Sequence, residues 1–305
     1  MIVKRRLIWA AAGAAAIGGF LWGLGSGLYR KIIAADNQRE QRREERGEKA
    51  QFPGSCLVSC QSADGLCLRG YCKKNVGDGH RWAICIHGYR GYPEQMSPYG
   101  AAYAERGYSV LLPALRGHGK SEGAYISMGV HDRLDLLCWI QWILLQDPEA
   151  EIVLHGVSMG AAAAMMAAGE VLPSNVRAVV EDCGYTTARE EFLFVAAQHA
   201  SKWLTGVLPL LSAAIWRKAG YRLRDAAPIK AIQSTDVPIL FIHGENDDFV
   251  PSDMAKALYE VAGGPKKLYL QKGAGHTEAV QVAPEQYWAQ IDSFLESYWE
   301  TRNEK

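Results

Sequence analysis

Hydrophobic residues are spaced with two different periods along this chain. From Ser55 onward, short apolar runs of strand character occur at Cys56–Gln61, Leu66–Lys73, Trp82–His87, Ser109–Pro113, Ile152–His155, Val176–Asp182, Pro238–His243 and Lys267–Leu270. Segments of helical spacing intervene at Pro98–Arg106, Val130–Gln146, Met159–Ala168, Ser252–Val261 and Pro284–Trp299. Asp64-Gly65 separates the first two runs and predicts a hairpin there. The later runs are continuously apolar, as expected when helices cover both faces of a parallel sheet. The pattern predicts an α/β fold: eight strands, mostly parallel and doubly wound through right-handed crossovers, with the active site at the strand C-termini.

The N-terminus breaks this alternation. Leu7 to Tyr29 carries no charge, is bounded by Lys4-Arg5-Arg6 and Arg30-Lys31, and has Trp9, Trp22 and Tyr29 near its ends. A helix needs about 20 apolar residues to cross a bilayer, so this run predicts an uncleaved transmembrane anchor. Ala11, Ala15, Gly19, Gly23 and Gly27 recur every four residues, a face on which two such helices could self-associate. Asp36 to Lys49 holds five acidic and five basic residues and nothing apolar, which predicts a solvated stalk. The expected organisation is an anchor over residues 1–30, a charged stalk over 31–54 and one catalytic domain over 55–305.

Charge and cysteine content narrow the function classes. Lys and Arg total 33 and Asp and Glu total 33, so no net basic field exists to attract nucleic acid. Seven cysteines fit no zinc spacing and no regular disulfide framework, although the hairpin sets Cys56 opposite Cys72. Neither a metal nor a cofactor is expected.

The chemistry centres on Glu151 to Gly169, where Ile152-Val153-Leu154 runs into Gly156-Val157-Ser158-Met159-Gly160 and then into an Ala/Met-rich helix. Strand, sharp turn and helix around G-x-S-x-G put Ser158 at a helix N-terminus, exposed at the mouth of the sheet. His87-Gly88-Tyr89-Arg90-Gly91 follows the third strand and can aim the Tyr89 N–H at a substrate carbonyl, with the Met159 N–H as second donor. The seventh strand is followed by His243-Gly244-Glu245-Asn246-Asp247-Asp248, and the eighth by Gly273-Ala274-Gly275-His276. This gives the chain order Ser, Asp, His; of the eight histidines only His276 follows the acid, while His243 is read as shaping a turn.

These motifs, with His87-Gly88, Arg116-Gly117-His118-Gly119-Lys120-Ser121 and Val250-Pro251, resemble the α/β-hydrolase superfamily over Ser55 to about Tyr298. Within it the chain is similar to membrane-anchored bacterial cell-surface hydrolases related to the serine aminopeptidase and monoglyceride-lipase-like group. The resemblance implies Asp247, rather than Asp248, as the acid, and a lid at residues 186–224 whose Trp203, Leu208 and Trp216 are candidates for an apolar roof over the substrate. Ala114 departs from the Asp that relatives often carry before the Arg-Gly-His-Gly turn. Arg116 and His118 read as loop architecture. The expected function is a serine hydrolase cleaving short-to-medium acyl esters through an acyl-enzyme; a peptidase with the same triad and a non-catalytic tethered binding protein are the alternatives. Basic residues flank both ends of the anchor, and the resemblance implies an extracytoplasmic catalytic domain on a single-pass membrane protein.

Overall fold

The computed structural model describes residues 19–36, 52–77, 79–199 and 203–299. Eight strands form one sheet: β1 (Cys56–Gln61), β2 (Cys67–Lys73), β3 (Arg81–Ile86), β4 (Ser109–Pro113), β5 (Glu151–Val157), β6 (Val176–Asp182), β7 (Ile239–Gly244) and β8 (Lys266–Gln271). Their spatial order is β1-β2-β4-β3-β5-β6-β7-β8. β1, β2 and β4 pair antiparallel; every later pairing is parallel. The first hairpin turns where Asp64-Gly65 predicted, with Gly65 at a φ of +88° and Ser62 closing the turn on Leu66. Cys56 pairs with Cys72 across it, and both thiols are free.

Alternation along the central strands builds the two halves of the core. Trp82, Ile84 and Ile86 of β3, with Ile152 and Leu154 of β5, face the helices Asp132–Leu144, Met159–Ala168 and Ser252–Val261. Ala83, Cys85, Val153, Leu240 and Ile242 face the opposite layer, built by helices Ser97–Glu105 and Pro284–Trp299. Both faces of β3, β5 and β7 are therefore buried, which is why these strands read as continuous apolar runs.

Among the described residues no helix is long and apolar enough to cross a membrane. The predicted anchor lies outside the described residues up to position 18, as does most of the charged segment from Asp36 to Lys49. What is described departs from a free stalk. Residues 19–32 are helical, and Tyr29 and Ile33 are buried in the main core. A Cβ on Gly25 would run into the backbone of Leu210, so the helix lies directly against helix Trp203–Ala219. Arg217 covers the Trp22 ring and Lys218 the Tyr29 ring. Residues 31–36, assigned to the charged stalk, instead dock on the domain: Ala34 bridges Tyr125, the Ala35 N–H donates to the Ala124 carbonyl and the Ile126 N–H donates to the Ile33 carbonyl. The apolar Ile33 supplies the burial that a count of nearby charges overlooks.

Candidate active site

The turn after β5 requires its glycines. A Cβ on Gly156 would overlap the Gly160 carbonyl, and one on Gly160 would overlap the carbonyl of Ile86. Between them Ser158 adopts φ 56° and ψ −118°, a conformation costly for a side chain with a Cβ. The strain is held by Ser158 N–H donating to the Asp182 carbonyl at 2.8 Å and by the helix that begins at Met159. Met159 opens that helix, so no carbonyl one turn back claims its N–H. Among the described residues four others that are not glycine have positive φ, and three of them, Arg90, Cys183 and Thr277, lie in the loop after β3, directly after β6 and beside His276. Stored backbone strain thus gathers around one serine.

The candidate base and acid converge on Ser158 from the next strand ends. His276 Nε2 is 3.0 Å from Ser158 Oγ, and its Nδ1 is 2.7 Å from Asp247 Oδ2. An ionised carboxylate only accepts, so Nδ1 carries the imidazole proton and Nε2 is left to accept from the serine hydroxyl. Asp247 Oδ1 accepts from the N–H groups of Phe249 and Val250 at 2.9 and 2.8 Å, which fixes the carboxylate plane. Burial raises its proton affinity, but contacts from His243 and His276 outweigh that and hold Asp247 well below the usual carboxylate range. The His276 loop is tied to β7 by the Glu245 and Asn246 N–H groups, which donate to Gln271 and Ala274. Glu278 caps the Gly275 N–H, and the Phe249 ring stands 5.0 Å from the imidazole.

Tyr89, the other proposed donor, sits on a loop pinned from behind. His87 Nδ1–H donates to the Gly88 carbonyl while Nε2 accepts from Leu115 N–H; His118 Nδ1–H donates to the Arg116 carbonyl while Nε2 accepts from Arg90 N–H. Arg116 is buried in ion pairs with Asp135 and Asp64, so Arg116 and His118 act as loop architecture. The Tyr89 hydroxyl donates to the Ile32 carbonyl at 2.5 Å, and the Arg90 guanidinium binds the Lys31 carbonyl.

Two cavities meet at Ser158. The larger, about 460 Å³, is lined by Gly88, Gln95, Tyr99, His276, Thr277 and Gln281 and is open to solvent. The smaller, about 70 Å³, is walled by Met128, Met159, Tyr185, Phe192, Val195 and Val250, with Glu191 its one charged residue. Tyr89, Ser158 and Phe249 border both. The roof is helix Ala188–His199, and the expected roof residues are corrected accordingly. Trp216 is 57% exposed, stacked under Arg222, and Leu208 lines a separate depression with Leu193 and Pro209. The Trp203 side chain lies outside the described residues. Helix Trp203–Ala219 turns its apolar side toward residues 25–33 and the core, which leaves Trp216 on the outer face.

Asp182, the other strand-end carboxylate, is engaged elsewhere: it accepts from the Tyr287 hydroxyl at 2.7 Å. The Tyr287 hydroxyl oxygen in turn accepts from the Nε2–H of His155, whose Nδ1 accepts from the Tyr103 hydroxyl. Burial pushes His155 down to about 3, which keeps it neutral in this chain of bonds. Among the described residues, one cluster has metal-ligating atoms within reach of each other: Cys183, Asp247 and His276, within 4.8 Å. A cation there would displace the Asp247–His276 hydrogen bond, and burial holds the Cys183 thiol well above its ordinary range, against the thiolate a metal needs.

Comparison with known proteins agrees with this fold. The profile described as "Alpha/beta hydrolase family" matches residues 83–290. The Bacillus subtilis protein YqkD is 27% identical over 239 residues, 77% of each chain. The Pyrococcus furiosus esterase Pf2001 superposes with a TM-score of 0.64 at 25% identity, over 80% of this chain and 91% of that one. The Pyrococcus horikoshii acylaminoacyl peptidase shares the fold, with a TM-score of 0.61 at 19% identity over 84% of this chain and 43% of that one. The matched span runs from β3 through the serine turn and the His276 loop into the last helix, and on that match the chain belongs to the alpha/beta hydrolase family.

Proposed function

We propose that the protein is a serine hydrolase that cleaves carboxylic esters through an acyl-enzyme on Ser158. The carrying observation is the unbroken relay from Ser158 Oγ to His276 Nε2 and from His276 Nδ1 to Asp247, set where two cavities meet. In this reading His276 takes the hydroxyl proton as Ser158 Oγ attacks the ester carbonyl. The oxyanion is received by the N–H groups of Tyr89 and Met159. The imidazolium, steadied by Asp247, then protonates the leaving alkoxide, and water repeats the sequence to release the acid. The small apolar cavity suits a short-to-medium acyl chain, and the larger open cavity the alcohol.

The test is labelling by a fluorophosphonate, followed by kcat/KM for p-nitrophenyl esters beside aminoacyl anilides. Ser158→Ala should lose both labelling and turnover. Anilides outpacing esters of matched size would replace the esterase reading with a peptidase.

We also propose that the uncharged run beginning at Leu7 holds the chain at a membrane with the catalytic domain outside, its later part, from Gly25 to Tyr29, being packed on the domain. The uncharged run from Leu7 supports the anchor, and the open space beside Gly19, Gly23 and Gly27 leaves room for a second helix. Protease added to intact cells should cut within residues 37–50; full protection there would place the domain on the other side.

A further inference from the structure

β7 ends in His243-Gly244, and the His243 imidazole points into the protein, wholly buried. Its Nε2 lies 2.8 Å from the carbonyl oxygen of Val250. A carbonyl can only accept, so Nε2 carries a proton and donates it. The same Nε2 is 3.2 Å from Asp247 Oδ2, the oxygen that binds His276. One carboxylate oxygen thus stands between two imidazoles: one reaches Ser158, and the other has no path to solvent.

The surroundings of this second ring are acidic on every side. Glu181 and Asp182 at the end of β6, Glu191 from the roof helix and Asp247 from the loop after β7 all act on it. Burial alone would depress the proton affinity of His243, but the contact with Asp247, together with its other neighbours, outweighs it and the net direction is upward. Burial pushes Glu181 and Glu191 up to about 8 and Asp182 up to about 6, whereas Asp247 alone in this group is held low. A buried carboxylate stays ionised only if donors face it, and His276 by itself supplies one N–H to Oδ2.

We propose that His243 is a positioning residue for the reaction: its Nε2, which donates to the Val250 carbonyl and stands 3.2 Å from Asp247 Oδ2, keeps that carboxylate ionised and oriented toward His276. The inference rests on the triad reading above. Asp247 Oδ1 is held by two backbone N–H groups, so its plane is fixed on one side by the chain and on the other by His243. Without His243, Oδ2 would have only the His276 N–H to answer its charge. It would bind that proton more strongly.

Two substitutions and one direct measurement test this. His243→Gln keeps an N–H within reach of the Nε2 position, and His243→Leu removes it. By analogy with other partners that orient an active-site ligand, His243→Leu should lose about 10- to 100-fold in kcat, with KM changed less than about twofold. The acid limb of its kcat/KM profile should move to higher pH, and His243→Gln should recover most of the activity. A wild-type kcat and pH profile for His243→Leu would overturn the proposal, as would a glutamine variant as impaired as the leucine one. If neither variant folds, nitrogen-detected NMR of histidine-labelled wild-type protein decides: His243 Nε2 must carry a proton, and a ring protonated on Nδ1 alone would sink the idea. Fluorophosphonate labelling of wild-type Ser158 is run beside these measurements. Its absence would reject the hydrolase reading, whereas labelled wild type with an unaffected leucine variant rejects the role of His243 alone.

Discussion

Asp182 ends β6 and Asp247 follows the adjacent β7, and of the two only Asp247 is bonded to His276; the carboxylate of Asp182 is occupied by Tyr287. Asp247→Asn should therefore present the wrong tautomer partner to His276 and lower kcat by about 10⁴, the loss typical of a triad acid made neutral. Asp182→Asn keeps an acceptor for the Tyr287 hydroxyl and should leave kcat within about tenfold. Steady-state kinetics on one ester compares the two, and equal losses would move the acid role to Asp182.

The roof should respond to substitution at Phe192 and be indifferent to Trp216. A cavity of about 70 Å³ has room for roughly five to seven water-sized groups. Each methylene buried there contributes about 0.8 kcal/mol. Rates across p-nitrophenyl esters should rise from acetate to about hexanoate and then fall. Phe192→Ala should shift the optimum to longer chains while Trp216→Ala leaves the profile as it was. A profile that declines steadily from acetate in all three proteins would remove the small cavity from substrate binding.

Glycine substitutions should separate required from incidental positions. Gly160→Ala drives a Cβ into the Ile86 carbonyl and should cost about 1–3 kcal/mol or more in stability. Gly206 lies in helix Trp203–Ala219 with nothing within 4 Å of its absent Cβ. Gly206→Ala should gain about 0.5–1 kcal/mol from helix propensity. Thermal unfolding of the two variants should move Tm in opposite directions.

Glu181 predicts an alkaline loss of stability. Burial lifts its carboxyl from an ordinary 4.5 to about 8, so between these values the folded protein binds more protons than the unfolded chain. The contribution is complete below pH 4.5 and disappears as pH rises through 8. Glu181→Gln, which retains an acceptor for the Gly184 N–H, should flatten the fall in Tm between pH 5 and 9. A variant whose Tm follows the wild-type curve would show that Glu181 does not titrate there.

The strand and helix pattern was largely legible because burial on both faces of a sheet leaves a direct trace in the residues. β1, β4 and β6, and the helices beginning at Met159, Ser252 and Pro284, have the bounds that periodicity predicts. Chain order pointed to Ser158, to His276 and to the loop after β7 for the acid, and within that loop the family resemblance, not the order, singled out Asp247 over Asp248. The roof was less legible. An apolar stretch such as residues 203–219 shows that a face is buried but not against what, and Trp216 proved to be on the outer side. His243 was read as a turn residue because nothing in His243-Gly244 signals that the ring folds back on Asp247, a contact set by the loop closing at Val250. The docking of residues 31–36 left no motif either, because it uses backbone carbonyls that any sequence provides.

That docking changes where the working enzyme begins. Anyone trimming the gene to a soluble form would cut ahead of Ser55, where the strand pattern starts, and would discard Tyr29 and Ile33 from the core together with the carbonyls that tether Tyr89 and Arg90. Such a shortened chain would keep all three relay residues and lose the brace behind the Tyr89 loop. Residues 25–36 are better regarded as a buttress behind the Tyr89 loop, and an expression strategy that keeps these contacts starts ahead of Gly25.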